Sequence, residues 1–408
     1  MKRRIVSFLT PLDDDIYPVI PESQVILDPL RFPDGIMGGF AGDFARVYSA
    51  TLEPPEHSFY IAALTCLGSM LSGLIRIESE IKSDPRFYVL LLGLSGSAKK
   101  STANSKTIDF FRETLDGPRT AGMFRTCQGV GSAEGLQDLL TADKWNKRLL
   151  LCFDEFKAFV GKCRIDSSVL LPCVTTLFES NRYENRTKGK GISLEDVHLS
   201  ILTASTIDTY EQCWDSAFTD IGFNNRLFIV PGNSVRRFSL PPAIKSRDRE
   251  RLQKWLLDIV YDTRTGMTYP IEPIARSFYD AWYLGLGTLP HATRLDTYAT
   301  RFMSLMAANE RKETVDLDII LKVTKLCDWQ MKVRTLYDPI RADNKAAMME
   351  QKIRKILRVH PRITAKRLKD HANAHRSGLF IFNQAMKNLR ESGEIVCDDG
   401  LWNLSDEA

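Results

Sequence analysis

Apolar residues recur at helical spacing through residues 40–75, interrupted at Pro54-Pro55, and predict two helices ahead of the first strand. Short, nearly continuous apolar runs then alternate with helical periods. Strands are expected at 87–92, 148–153, 198–204 and 226–230, with helices at 101–115, 134–140 and 168–179. Such runs, apolar on both faces and spaced by helices, predict an α/β domain with a largely parallel sheet. Beyond Pro241 the pattern is helical over 249–261, 273–286, 297–308 and 317–337, which suggests a helical lid on the α/β core. In the last segment two helices, 348–359 and 364–372, precede a third near 379–392. The strands 395–397 and 401–404 then flank Asp398-Asp399-Gly400, a turn suited to a hairpin. Helix, helix, helix and hairpin is the winged-helix order. Residues 1–35, rich in Pro and Asp without a sustained period, read as an extended arm. The expected organisation is therefore an arm (1–35), a core with its preceding helices (36–240), a lid (241–344) and a winged-helix domain (345–408).

Composition changes this picture little. At 44% apolar and 26% charged, the 408 residues are ordinary globular material with length for two or three domains. Eight cysteines without a CxxC pair favour a reducing compartment and no zinc site. The basic start Met1-Lys2-Arg3-Arg4-Ile5 is followed by an apolar stretch ending at Pro11 and Asp13, too short for a signal peptide, so a cytoplasmic location is expected. The segment 61–75 carries Thr65, Ser69 and Ser72 and is shorter than a membrane span, which leaves no membrane partner in view. The net charge of +4 is small, and most of the excess lies near the C-terminus.

The chemistry concentrates at the ends of the predicted strands. Gly93-Leu94-Ser95-Gly96-Ser97-Ala98-Lys99-Lys100-Ser101-Thr102 follows an apolar strand and opens a helix, the context that a phosphate-binding loop requires. Glycines let backbone N–H groups turn toward phosphates, a lysine neutralises the β/γ oxygens and the next hydroxyl reaches Mg²⁺. The pattern GxxxxGK[ST] places its lysine at Lys99 and a hydroxyl at position 100. Choosing Lys100 and Ser101 instead lengthens the loop by one residue and puts Lys99 in place of the last glycine. About 50 residues on, the strand Leu149-Leu150-Leu151-Cys152-Phe153 ends in Asp154-Glu155. Asp154 is expected in the Mg²⁺ shell and Glu155 on the attacking water, with a helix N-cap as the plain alternative. Ser205 ends the third strand, where a hydroxyl could hold the lytic water. Arg226, after Gly222-Phe223-Asn224-Asn225, stands at a strand start as a candidate arginine finger for a neighbouring subunit.

Gly93-x-Ser95-x-x-Ala98-Lys99-Lys100-Ser101-Thr102, the Leu-rich strand to Asp154-Glu155, and Gly222-Phe223-x-Asn225-Arg226 together resemble a family of prokaryotic P-loop proteins of the AAA+ helicase type. That family is of unknown function and often linked to primases or mobile elements. The resemblance spans roughly residues 40–329, and a basic residue before the loop lysine is common in the family. It implies a P-loop NTPase (AAA+-like) fold, ATP with Mg²⁺, and a homo-oligomer, a hexameric ring, acting on DNA. It also implies a pore hairpin, for which Arg186, Lys188 and Lys190 in the basic segment 182–191 are the candidates on single-stranded DNA. Arg294 and Arg301 are the candidates for a sensor arginine from the lid.

The C-terminal segment is basic, with Lys352, Arg354, Lys355, Arg358, Arg362, Lys366, Arg367, Lys369 and Arg376 ahead of Lys387 and Arg390. Such clustering is the footprint of phosphate binding, and Lys387 and Arg390 on the third helix are its groove-facing candidates for duplex DNA. The expected activity is a helicase-like ATPase on single-stranded DNA in replication. Two alternatives stand beside it: a non-translocating DNA-binding ATPase such as an initiator or helicase loader, and a nucleotide-switched regulatory or defence module.

Overall fold

The computed structural model describes residues 30–94, 98–186, 191–214, 216–287, 290–339 and 345–405. Two compact units emerge, one of residues 29–341 and one built on 342–408.

The first unit is mixed α/β around a five-stranded, all-parallel sheet. Its strands are β1 (Tyr88–Gly93), β2 (Thr126–Gln128), β3 (Arg148–Phe153), β4 (His198–Thr206) and β5 (Phe228–Pro231), in the spatial order β2-β3-β4-β1-β5. Every position of β1 and β5, and nearly every one of β3 and β4, is buried, as near-continuous apolar runs require when both faces are covered. Among the described residues two α-helices precede β1: α1 (Gly39–Thr51) and α2 (Glu56–Leu71). Buried almost all round, α2 packs on β1, β3 and β4. Phe40, Phe44 and Tyr48 of α1 meet Phe59 of α2 and Phe110 of the helix after β1, forming one aromatic cluster. The helix expected through residue 75 stops at Leu71, because Gly73 takes the left-handed conformation (φ 76°) and Ile75–Ile77 pairs as a short parallel strand with Met267–Tyr269.

The later helices do not form a lid over the carboxyl edge of the sheet. Those considered further are α5 (Ser246–Thr263), α6 (Pro273–Gly285), α7 (Leu295–Glu310) and α8 (Leu317–Tyr337), while α3 (Lys100–Thr114) and α4 (Phe156–Cys163) follow β1 and β3. The hydroxyl of Tyr298 donates to Arg226 O (2.6 Å), and Arg301 Nη1 donates to Arg86 O (2.8 Å). Arg334 on α8 donates to Asn225 O (2.9 Å) and Thr293 O (2.6 Å). Residues 86, 225 and 226 precede β1 and β5, so α7 and α8 brace the amino ends of the strands. Charged contacts tie α5 to α1 and α3, Arg251 to Asp43 and Arg249 to Glu113. The expected lid is in this respect a base.

At the same amino edge Asp84 bonds His198 Nδ1 (3.0 Å), receives the Gly73 N–H (3.2 Å) and lies 3.4 Å from Arg86. Burial works against its charge, but the bond and attraction of His198, followed by Arg86, prevail and bring its pKa from 3.8 to about 2. A carboxyl held below its unfolded value adds stability above that value and loses it as pH falls through the folded one. The contribution, roughly 2 kcal/mol at neutral pH, should therefore fade between about pH 4 and pH 2. Acid unfolding followed by circular dichroism should show Asp84→Asn less stable at pH 7 and flatter across that window. A variant with the wild-type acid limb would refute this assignment.

The second unit holds three main helices, α9 (Lys345–Val359), α10 (Ala365–His371) and α11 (Leu379–Glu391), with a small antiparallel sheet of β6 (Ile363–Thr364), β7 (Ile395–Asp398) and β8 (Leu401–Leu404). Met349, Ile353, Ile356 and Leu357 of α9 are buried with Phe382, Ala385 and Leu389 of α11, whose helices pack together. Asp399 and Gly400 both take positive φ (50° and 77°), the requirement of the two-residue turn that joins β7 to β8.

Candidate functional site

Gly93 closes β1 where no side chain fits: a Cβ there would stand 2.3 Å from Gly232 O and 2.5 Å from Ala98 Cβ. Gly232 itself donates its N–H to Leu92 O (2.9 Å), so the segment after β5 presses on the root of the loop. Ser95, Gly96 and Ser97 lie outside the described residues. The loop resumes at buried Ala98 and turns into α3 through Lys99, which takes a left-handed φ of 46° and makes no side-chain cap. The uncapped first turn offers the backbone N–H groups of Lys100 and Ser101, the basis of anion binding at helix starts, while the Thr102 N–H donates to Lys99 O (3.1 Å). Ser101 is exposed and Thr102 half-buried.

The two lysines diverge. Lys100 Nζ lies over the loop, donating to Gly93 O (3.2 Å) and Leu94 O (3.1 Å). Burial lowers its pKa, and the negative charge of Glu155 pulls it back up. Lys99 points to Glu53 instead, 4.0 Å away and half in solvent. Glu53 is held by the N–H groups of Arg237 (3.0 Å) and Phe238 (3.3 Å), which keep its pKa low. Nothing in the sequence near the loop signals Glu53 or Gly232, since both arrive from distant segments.

Asp154 and Glu155 are exposed just beyond β3. Glu155 occupies the N-cap position of α4, yet its side chain makes no capping bond, which weakens the plain structural explanation for the pair. Register sets the two strand ends apart along the sheet: Phe153 pairs with Thr203 on β4, whereas Gly93 pairs with Thr206, so β3 ends three residues short of β1 at the same carboxyl edge. With β4 between them, β3 and β1 are two strand spacings apart across the sheet, roughly 10 Å, in addition to that offset along it. The loop leaves β1 toward one side of the sheet, while the chain leaves β4 toward β5 on the other. The β1/β4 crevice is thus the switch point at which open α/β sheets bind ligands.

Two expected catalytic residues, Ser205 and Arg226, are placed otherwise. Ser205 is fully buried and donates its hydroxyl to Thr206 O (3.1 Å), so it does not present a water-binding group at the sheet edge. Thr206, its neighbour, caps the helix Ile207–Gln212 by accepting from Thr209 N (3.1 Å). Arg226 lies in a single 3-10 turn before β5, only 8% exposed, with Nη1 donating to Gly222 O (2.8 Å) and Ile221 O (3.1 Å). A guanidinium offered to a neighbouring subunit must stand in solvent before assembly, which Arg226 does not. The sensor candidates are corrected likewise. Arg301 is buried against Phe178 and the carbonyls at the amino edge, and Arg294 is paired with Glu179.

On either side of the undescribed residues 187–190, Tyr183–Asn185 runs antiparallel to Ile192–Leu194. Arg186, just beyond Asn185, is exposed and paired with Glu184 (2.6 Å), whereas Lys188 and Lys190 lie outside the described residues. In the second unit Lys387 is 65% exposed and 3.7 Å from Glu391, and Arg390 is exposed on the same helix. The sequence reading missed Phe380, 80% exposed in the first turn of α11. Arg354 is engaged by both oxygens of Glu394 (2.6 and 3.0 Å).

Among the described residues no cluster of three or more His, Cys, Asp or Glu could hold a metal alone. Mg²⁺ needs no such cage, because one carboxylate completed by substrate phosphates and water suffices, and exposed Asp154 with the Ser101 hydroxyl is a donor set of that kind. Among the described residues no helix is long and apolar enough to cross a membrane. No protein-family model and no curated protein matches the chain.

Proposed function

We propose that the chain is a P-loop ATPase of the AAA+ type, binding nucleotide at residues 93–102. One observation carries the reading: the Lys100 ammonium sits over the end of a central parallel strand, at the switch point, with exposed Asp154 and Glu155 at the same edge. The backbone N–H groups at the start of α3 receive phosphate oxygens, and Lys100 exchanges its two loop carbonyls for them. Asp154 and Ser101 are the residues that would hold Mg²⁺, which supplies neutralisation of phosphate charge when bound. Glu155 accepts a hydrogen bond from the attacking water and orients it. For the second unit we adopt the winged-helix reading, with Lys387 and Arg390 of α11 toward nucleic acid, and for Arg186 the role of a strand-tracking hairpin residue.

Helicase-like action on single-stranded DNA and a hexameric ring belong to the same proposal. The burial of Arg226, however, removes the expected trans-acting arginine and favours a second reading, a nucleotide-controlled DNA-binding switch that does not translocate. Steady-state phosphate release from the full chain, with and without single-stranded DNA, separates them. Mg²⁺-dependent hydrolysis that rises several-fold with DNA is the expected result. Hydrolysis indifferent to DNA selects the switch, and absence of both hydrolysis and nucleotide binding removes the ATPase reading.

A further inference from the structure

A cavity of about 320 Å³ opens at the amino edge of the sheet, the edge opposite the loop, between the end of α2, the start of β3 and the end of α5. Its floor is apolar, made by Met70, Leu71, Leu74, Met123 and Val260. Two arginines complete it. Arg148 opens β3 and is fixed at two points, through Nε on Ser72 O and through Nη1 on Asn146 Oδ1 (3.2 Å). Arg264 follows α5 and stacks over the ring of Tyr261, with 3.8 Å from its guanidinium carbon to the ring centroid. The carboxylate in the lining, Asp143, is turned to its own loop, where it accepts the N–H groups of Trp145 (2.8 Å) and Asn146 (3.1 Å).

Trp145 stands at the rim and is 95% exposed. Its loop is held in place: besides the Asp143 bonds, Asn146 Nδ2 donates to Gly122 O and Met123 O, and Arg125 donates to Asn146 O and Leu139 O. An indole kept in water by an ordered loop beside an apolar hollow is an unfilled stacking surface, the type of group that dominates binding energy once covered.

We propose that this cavity binds a small planar aromatic anion, an aryl carboxylate, with its rings on the apolar floor under Trp145 and its acid group toward Arg148 and Arg264. The volume is at the lower end of small-molecule sites, which limits the ligand to one or two fused rings. The lining holds two guanidinium groups and one carboxylate, which main chain engages; Asp84 and Asp196 attract Arg148 from outside the lining, and the planar fork that remains suits a carboxylate. The site shares no residue with the nucleotide loop and does not depend on that reading.

The test is calorimetric titration of the full chain with naphthalene-2-carboxylate and, in parallel, its neutral analogue naphthalene-2-methanol. One saturable site is expected for the acid, with Kd on the order of 0.1 mM for a ligand this small. The alcohol should bind at least about tenfold more weakly, as should the acid to Arg148→Gln, since a partly desolvated ionic hydrogen bond is lost. Trp145→Ala should weaken the acid about fivefold or more without lowering the melting temperature, because the ring is in solvent. Should Arg148→Gln fold poorly, the acid–alcohol comparison on the wild type carries the charge test. Absence of saturable heat, equal affinity for acid and alcohol, or affinity unchanged by Trp145→Ala would each overturn the proposal.

Discussion

Lys100→Ala should abolish nucleotide-dependent activity while leaving the fold intact. The ammonium lies within 3.2 Å of Gly93 O and Leu94 O, at the place where phosphate oxygens would arrive. Its loss removes a charge-assisted hydrogen bond of about 1.5–3 kcal/mol, or roughly 10- to 150-fold in nucleotide affinity. Hydrolysis should fall further, by more than about 100-fold, because the contact strengthens as charge develops on the transferred group. Lys99→Ala is the internal control. Its ammonium faces Glu53 at 4.0 Å, half in solvent, so an effect within about twofold is expected. Glu155→Gln should separate the steps, retaining binding and losing turnover. Equilibrium binding of a fluorescent ATP analogue and phosphate release read all three. If Lys99→Ala were the damaging change and Lys100→Ala the mild one, the phosphate-binding lysine would be the one at the shorter spacing.

The largest effect on stability is expected at Arg334, which is 1% exposed. Its Nη1 donates to Thr293 O (2.6 Å) and His291 O (3.4 Å), and its Nη2 to Asn225 O (2.9 Å) and Leu227 O (3.4 Å). One planar fork thus ties α8 to the segment before α7 and to the lead-in of β5, and burial lowers its pKa. Arg334→Ala leaves carbonyls without donors and opens a void, costs that together come to about 3–5 kcal/mol. Lysine keeps the charge but cannot divide it among four carbonyls, so Arg334→Lys should recover only part of the loss. Denaturant unfolding of the three proteins measures this, and a loss below about 1 kcal/mol for alanine would show that the clamp carries little energy.

Much of the sheet could be read from sequence because its strands are continuous apolar runs that no other element explains. The short edge strand Thr126-Cys127-Gln128 could not, having neither length nor an apolar pattern, and the strand Ile75–Ile77 begins at the last residue of the helical period before it. Periodicity located the later helices but could not say which end of the sheet they cover. The same limit explains the arginines. Arg226, Arg301 and Arg334 have the charge of phosphate-binding groups, yet each is folded onto main-chain carbonyls in segments that lead into strands, and only three-dimensional placement reveals that. Lys100 and Lys99 compete for one place in the pattern, and only the fold shows Lys100 over the carbonyls of Gly93 and Leu94 while Lys99 turns to Glu53. Glu53, which draws Lys99 aside, approaches from before β1 with no local mark.

The central place of β1 has a consequence for how the chain acquires its structure. Its two hydrogen-bonded neighbours are β4 and β5, more than a hundred residues further along, so β1 has no partner until His198–Thr206 has been synthesised. Long closures of this kind slow folding, and they leave an apolar strand exposed while synthesis continues. On the ribosome α1 and α2, already complete, are the surfaces available to shelter it. Chains ending before about residue 198 should therefore aggregate or require a chaperone, and the turn after Gly93 should be among the last parts of this unit to take its shape.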